Sequence, residues 1–380
     1  MNNNWWGQPR NLSNIIENRK ISWLELFSDL VYVVIIHGFV ENLTEHFNLY
    51  GVISFWVLFL FFFNTWMNMV LYFDLHGEAS LRNTVFALVQ IVAVGITATF
   101  TTQFFEGHYT GFILAYTVNQ LIYMYLYLQT MIFDPLHATT TRPYLISYSI
   151  AEVFFVGSIF VGNINIQRAI ILVCLLVFLS TITLESNNFN KEFSIRKMKF
   201  EVTSAIMERF GLFTMIVLGE SLAGIIEFFM GHKSGVTSYL EFIIVFLSVI
   251  GMWFVYYTLM DEREIQAKSY LPISVFRGLH RFLIACLVLE SFLVLSILEE
   301  NEKIYFYLFI LVTVAILLDL MIMTSLSWFN LNPIKKRDLI WLAVAIIVII
   351  LSGILPIFVG MFIIDIVLIA TGIRAWILQV

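Results

Sequence analysis

Nine acidic residues lie inside otherwise apolar stretches of the chain: Glu25, Asp29, Glu152, Glu208, Glu220, Glu227, Glu290, Asp319 and Asp365. An ionised carboxylate at the centre of a bilayer costs roughly 2.5–3.5 kcal/mol on the insertion scale, so several facing lipid unpaired would be untenable. Each must carry a proton, meet a cation or face water. Glu25 and Asp29 are four residues apart and share one helix face, while His37 lies two turns further on, about 80° round from Asp29 at 100° per residue. Glu220 and Glu227, seven apart, also share a face, and Glu208 stands beside Arg209 a little earlier in the same stretch. If the two helices face each other, their carboxylates converge on one cavity, an arrangement suited to taking up and releasing protons. Asp29, His37 and Glu220 are then the candidates for binding or proton relay, with Glu227 one turn-pair beyond. Glu25, Glu208 and Arg209 would gate or neutralise at the cytoplasmic mouth. The plainer reading pairs Glu208 with Arg209 or Arg281, leaves Glu25 to headgroups, and makes the deeper groups interhelical hydrogen bonds.

Other chemistry is excluded by what the sequence lacks. There is no Gly-x-x-x-x-Gly-Lys-Ser/Thr phosphate loop and no His-Glu-x-x-His zinc helix. The run Gly219-Glu-Ser221-Leu-Ala-Gly224 places its second glycine one residue too late for a serine nucleophile elbow. Cys174 and Cys286 both sit in apolar runs, so neither a disulfide framework nor a paired-cysteine metal site follows. No catalytic residue, metal site or cofactor is expected, and no nucleic-acid footprint is visible.

The elements that must position these residues are dictated by composition. Hydrophobic residues make up 60% of the 380 and charged residues 13%, about half the charge that a water-facing surface carries. Apolar runs of twenty residues and more match the ~30 Å of hydrocarbon that a helix must cross. Lipid is the solvent. The runs predict spans near 24–43, 51–73, 84–105, 109–132, 143–161 and 168–185, then 202–229, 239–260, 274–298, 304–328, 338–358 and 359–379. The last two form one apolar run, divided where Pro356 and Gly360 offer a breaker. The fold class is thus all-α, a polytopic membrane helical bundle of about twelve transmembrane helices. The polar N-terminus lacks the apolar core of a cleaved signal peptide, so the first span is expected to direct insertion.

Basic residues give an independent count, because Lys and Arg are retained on the cytoplasmic side. With the N-terminus inside, all but four of the 21 Lys and Arg are cytoplasmic; the four are Arg168, Lys233, Lys303 and Arg209. Both termini are therefore expected in the cytoplasm and the protein in the cytoplasmic membrane. The chain divides into a polar N-terminal segment (1–20), a first six-helix half (21–185), a basic linker (186–201) and a second six-helix half (202–380). Glu25 and Phe27 match Glu208 and Phe210, His37 stands opposite Glu220, and Trp66 and Asp74 match Trp253 and Asp261. Such matches would make the halves parallel repeats, though chance among so many apolar residues gives matches too. Polar stripes at Gln90, Thr97, Thr101 and Gln103, and at Tyr116, Asn119, Gln120, Tyr123 and Tyr127, read first as ties between helices and second as a pathway lining.

Two strings carry a resemblance. Ser22-Trp-Leu-Glu25-Leu-Phe27-Ser-Asp29-Leu-Val, followed by His37, and Glu208-Arg209-Phe210-Gly211 running to Gly219-Glu220-Ser221 resemble the bacterial low temperature requirement A family, in that order and spacing. His280-Arg281 adds to the likeness, and Ser28 departs from it where an aromatic residue is usual. The resemblance runs from about Ile21 to the last helix and implies a multi-pass bacterial membrane protein named for growth in the cold. It implies no substrate and no reaction.

The residues themselves lead to a secondary transporter or permease, with a cation, a proton or a small solute as its ligand and the lipid bilayer as its surroundings. Two other classes stay open: an intramembrane enzyme using His37 and a carboxylate on a lipid, and a non-transporting sensor or assembly factor.

Overall fold

In lipid every backbone N–H and C=O must be satisfied within its own segment, which long apolar runs achieve as helices. The computed structural model follows that rule and is 85% helical. It describes residues 7–14, 19–78, 80–184, 186–231, 235–260, 265–327 and 336–379. Asp261, Arg263, Lys233 and Lys335 lie outside the described residues, so the expected match of Asp261 with Asp74 does too. Ten helices among the described residues are long and apolar enough to cross a membrane.

The chain forms two compact units. The first, residues 1–209 with 267–274, holds α1 (Trp23–Glu45), α2 (Leu49–His76), α3 (Leu81–Ala98), the short α4 (Thr101–Phe105), α5 (Thr110–Phe133), α6 (Ala138–Gly157), α7 (Ile164–Leu184) and α8 (Ser186–Arg196). It also takes in the opening turns of α9 (Ser204–Met230). The second unit holds the rest of α9, α10 (Val236–Met260), most of α11 (Tyr270–Glu300), α12 (Lys303–Ser327), α13 (Lys336–Ser352) and α14 (Ile357–Gln379).

Each expected span overlaps a helix, though α7 and α13, at the expected spans 168–185 and 338–358, are not among those ten, and three boundaries differ for physical reasons. The third span breaks at Thr99–Phe100, where the Thr99 hydroxyl turns back onto the Ile96 carbonyl, so α3 and α4 replace one long helix. The last apolar run reverses ahead of Pro356, not at residue 358. Leu355 N–H donates to the Ser352 carbonyl (3.0 Å) to close the turn, and α14 begins directly after the proline, a position where its missing N–H costs nothing. Gly360 lies within α14, where a Cβ would stand 2.4 Å from the Phe306 ring; it serves packing. Finally, residues 186–196, expected as linker, are helical, with Phe189, Glu192 and Phe193 buried.

Packing in the second unit depends on close helix approach. A Cβ on Gly372 would sit 2.4 Å from Phe254, and one on Gly251 would touch Leu368 at 3.0 Å. Small residues here let α10 and α14 approach within backbone distance, the usual device where lipid offers no hydrophobic drive. In the first unit the polar stripes tie helix to helix. Gln90 Nε2 donates to Asn119 Oδ1 (3.1 Å), whose amide nitrogen donates to Thr97 Oγ1 (2.7 Å), joining α3 to α5. Tyr148 hydroxyl accepts from Asn64 and Asn68 and donates to the Phe178 carbonyl (2.9 Å).

Candidate functional site

Ser22 opens α1 with a capping box: its hydroxyl accepts from the Glu25 N–H, and the Glu25 side chain reaches back to the Ser22 N–H. An acid in the first turn also suits the positive end of the helix. The buried stripe of α1 then runs Glu25, Asp29, Tyr32, Ile36, Phe39 and Leu43, a three-four spacing that keeps both carboxylates on the inward face.

Two arginines meet this pair. Arg19 binds Glu25 in a two-pronged contact at 2.8 and 2.9 Å. Arg209, on the first turns of α9, donates through Nε to Asp29 Oδ2 (3.1 Å), through Nη1 to Glu25 Oε2 (3.2 Å) and through Nη2 to Asp29 Oδ1. The Trp66 indole N–H completes the set by donating to Asp29 Oδ1 (2.7 Å), with the guanidinium carbon of Arg209 5.8 Å from the Trp66 ring. Glu25, Asp29 and Arg209 are 3%, 0% and 2% exposed. Two acids and two guanidinium groups thus form a closed, electroneutral clamp among α1, α2 and the start of α9, all within the first unit.

The remaining predicted residues stand elsewhere. His37, expected to extend the acidic stripe inward, instead stands off it, since its 80° offset carries it to the edge of that face, and its Nε2 pairs with Glu41 Oε1 at 3.4 Å. Below Asp29 the stripe turns aromatic and aliphatic, so the acidic run does not continue to the imidazole. Glu208 is exposed, one helical step away from the face that carries Arg209. Glu220 is half-buried and Glu227 exposed, both in the second unit.

Three further carboxyls in that unit are buried: Glu290 on α11, Asp319 on α12 and Asp365 on α14. Two of them have hydroxyl partners, and Asp319 Oδ2 has no hydrogen-bond partner among the described residues. Thr313 donates to Glu290 (3.2 Å) and Ser248 to Asp365 (2.6 Å), and no guanidinium or ammonium group among the described residues pairs with any of the three. Glu290 borders a cavity with about 10 Å³ of space for a water-sized occupant, walled by Ser221, Ser248, Ser291 and aliphatic side chains. The Ser221 and Ser291 hydroxyls are hydrogen-bonded to each other, and both are within reach of carbonyls four residues back on their own helices.

Sequence reasoning missed a third group, at the end of the first unit where α2, α5, α6 and α8 meet. Arg10 N–H donates to the His76 carbonyl (3.0 Å), and Leu12 N–H to Asp134 Oδ2 (3.2 Å). Arg196 spans Asp134 (2.7 Å) and Glu192 (2.9 Å), and Glu192 also receives His137 Nδ1 (3.0 Å) and the Thr140 hydroxyl (2.6 Å). Burial alone would raise both acids. For Glu192 the His137 and Thr140 hydrogen bonds and Arg196 reverse that, and for Asp134 the Arg196 contact and the Leu12 amide do, so both stay below the usual carboxylate range. These residues lie in separate loops and a polar helix, so no local spacing connected them.

Residues 20–373 match the family described as bacterial low temperature requirement A protein (LtrA). The chain belongs to this family. The match runs from the cap of α1 into α14, and with ten helices among the described residues long and apolar enough to cross a membrane it makes this LtrA-family chain a multi-pass integral membrane protein. No curated protein and no solved structure matches it.

Proposed function

We propose that this LtrA-family protein is a secondary transporter or permease of the cytoplasmic membrane, coupled to a proton or small cation that the second unit carries on Glu290 and Asp365. What supports this is the placement of those carboxyls in spanning helices with hydroxyl partners and no resident cation. Two ionised carboxylates held that way would cost roughly 5–7 kcal/mol, comparable to the whole net stability of a folded domain. A group in this position is stable as the neutral acid and becomes stable as the anion when a cation arrives, which is the behaviour that coupling requires. The Arg209–Asp29–Glu25 clamp takes the other role weighed for these residues, that of a fixed neutralised tie at the mouth.

The test is flux in reconstituted vesicles under imposed gradients of pH, sodium, potassium or small solutes. Movement above empty vesicles is expected from the wild type, and Glu290→Gln should abolish it while the protein stays folded. No movement under any gradient, or full movement in Glu290→Gln, removes the reading and leaves a sensor or assembly factor.

A further inference from the structure

The cavity that Glu290 borders lies wholly in the second unit, with Ser221 of α9, Ser248 of α10 and Ser291 of α11 on the same wall. Ser221, Ser248 and Glu290 are 5%, 2% and 7% exposed. The hydroxyl hydrogens of this wall are already committed. Ser221 and Ser291 touch each other and also reach the Val217 and Leu287 carbonyls (3.1 and 3.0 Å), so their two hydrogens are used between them or on those carbonyls. Ser248 gives its hydrogen to Asp365 (2.6 Å). What is left over is hydroxyl lone pairs and the Glu290 carboxyl. Its Oε1 accepts from Thr313, and its Oε2 accepts no hydrogen bond among the described residues.

The chemistry of the guest follows from the wall. About 10 Å³ of space for a water-sized occupant is close to one such sphere, so the cavity takes a single small guest stripped of its own waters. Carboxylate and hydroxyl oxygens are hard donors and suit hard cations. One carboxylate on the wall balances one positive charge. Calcium gathers roughly 6–8 oxygens, more than this wall brings round one point, and no group of three His, Cys, Asp or Glu residues able to hold a metal occurs among the described residues. Of the monovalent ions, sodium is smaller than a water molecule, whereas potassium is close to water in size and needs a wider ring of oxygens.

We propose that this cavity is a sodium site, in which Glu290 and the oxygens of Ser221, Ser248 and Ser291 hold one sodium ion in exchange for the Glu290 proton. This names the ion for the coupling proposed above and rests on that reading for its purpose. Without sodium the carboxyl keeps its proton; when sodium enters, the proton leaves to water and the carboxylate and the ion stay neutral as a pair. Glu290 is the one titratable residue on the wall among the described residues, and Asp365 on α14 and Cys286 on α11 are the ionisable groups that interact with it electrostatically.

The purified full-length protein in detergent is titrated with sodium chloride against potassium and choline chloride at matched ionic strength, followed by thermal shift and, in weak buffer, by a pH indicator. Sodium should raise the melting temperature saturably and release about one proton per chain, and the other two salts should do neither. Ser221→Ala and Ser291→Ala each remove one oxygen, and sodium should bind each about tenfold more weakly. Glu290→Gln should melt as the wild type does in sodium-free buffer and show no response to sodium; it decides alone if a serine variant folds poorly. The site is overturned if sodium and potassium act alike, or if Glu290→Gln or both serine variants respond as the wild type does. Flux under a pH gradient without sodium binding would remove the sodium site and keep the transporter, whereas sodium binding without any flux would keep the site and remove the transporter.

Discussion

The two units handle the same problem, acids buried among spanning helices, in different ways. In the first, Glu25 and Asp29 meet Arg19 and Arg209, and Asp134 and Glu192 meet Arg196. In the second, Glu290 and Asp365 meet Thr313 and Ser248. A guanidinium fixes a carboxylate in its charged form and in one geometry, at the cost of desolvating both ions. A hydroxyl serves the charged and the protonated carboxyl alike, since it can donate to one and accept from the other. The first arrangement suits a joint and the second suits a group that changes state. Two acids of the first unit depart from this: Asp74 on α2 accepts from the Thr203 hydroxyl (2.8 Å), and Glu152 on α6 is buried beside the Thr117 hydroxyl with no cation paired to it among the described residues.

The comparison breaks most readily at Arg209. Arg209→Gln leaves Asp29 buried with only the Trp66 indole, and removal of one partner from a buried ion pair costs about 3–5 kcal/mol. A fall in the melting temperature of the detergent-solubilised protein, with α1 losing protection in hydrogen exchange, is the expected outcome. Asp29→Asn should cost less, because Glu25 still engages Arg209, and the double variant should lose less than the two losses added together. Additive losses would mean that the three groups do not act as one clamp.

How much of this was visible in the sequence differs from residue to residue. The shared face of Glu25 and Asp29 follows from a spacing of four, whereas His37, expected to continue the acidic stripe inward, stands off it beside Glu41, because an 80° offset is wide enough for local packing to decide the face. Arg209 could be named as a neutralising group, but its partners could not, since 180 residues separate it from Asp29. Trp66 stood out only as a mark of a repeat, yet it is buried as a donor to Asp29 while its counterpart Trp253 is largely exposed. Glu25 and Glu208 diverge likewise, one buried and one exposed. The polar segment around Glu192 read as solvated linker because its charges dominate its composition; burial there depends on His137, Thr140 and Arg196, which only the fold assembles.

Glu192 sharpens the first half of the comparison through pH. Its carboxyl is held below the usual range in the folded protein, so it contributes stability that is present above its unfolded pKa of ~4 and lost as pH falls through the lower folded value. Wild type should therefore exceed Glu192→Gln in thermal stability by about 1–3 kcal/mol at pH 7, a charge-assisted hydrogen-bond energy. The gap should narrow below pH ~4. A gap that stays constant down to pH ~3 would place the stabilisation in packing and not in charge.

The smallest change in stability is expected where the acid has no cation to lose. Gln at position 290 keeps an acceptor for the Thr313 hydroxyl and removes only the capacity to ionise, so Glu290→Gln should alter thermal stability by less than about 1 kcal/mol at neutral pH, in either direction. Asp29→Asn makes the same chemical exchange in the first unit, so comparing the two variants isolates the effect of the partner. If Glu290→Gln proved as costly as Asp29→Asn, Glu290 would have to be ionised and stabilised by a positive charge in the resting protein. The contrast between the units would then collapse, and with it the reason for assigning exchangeable charge to the second.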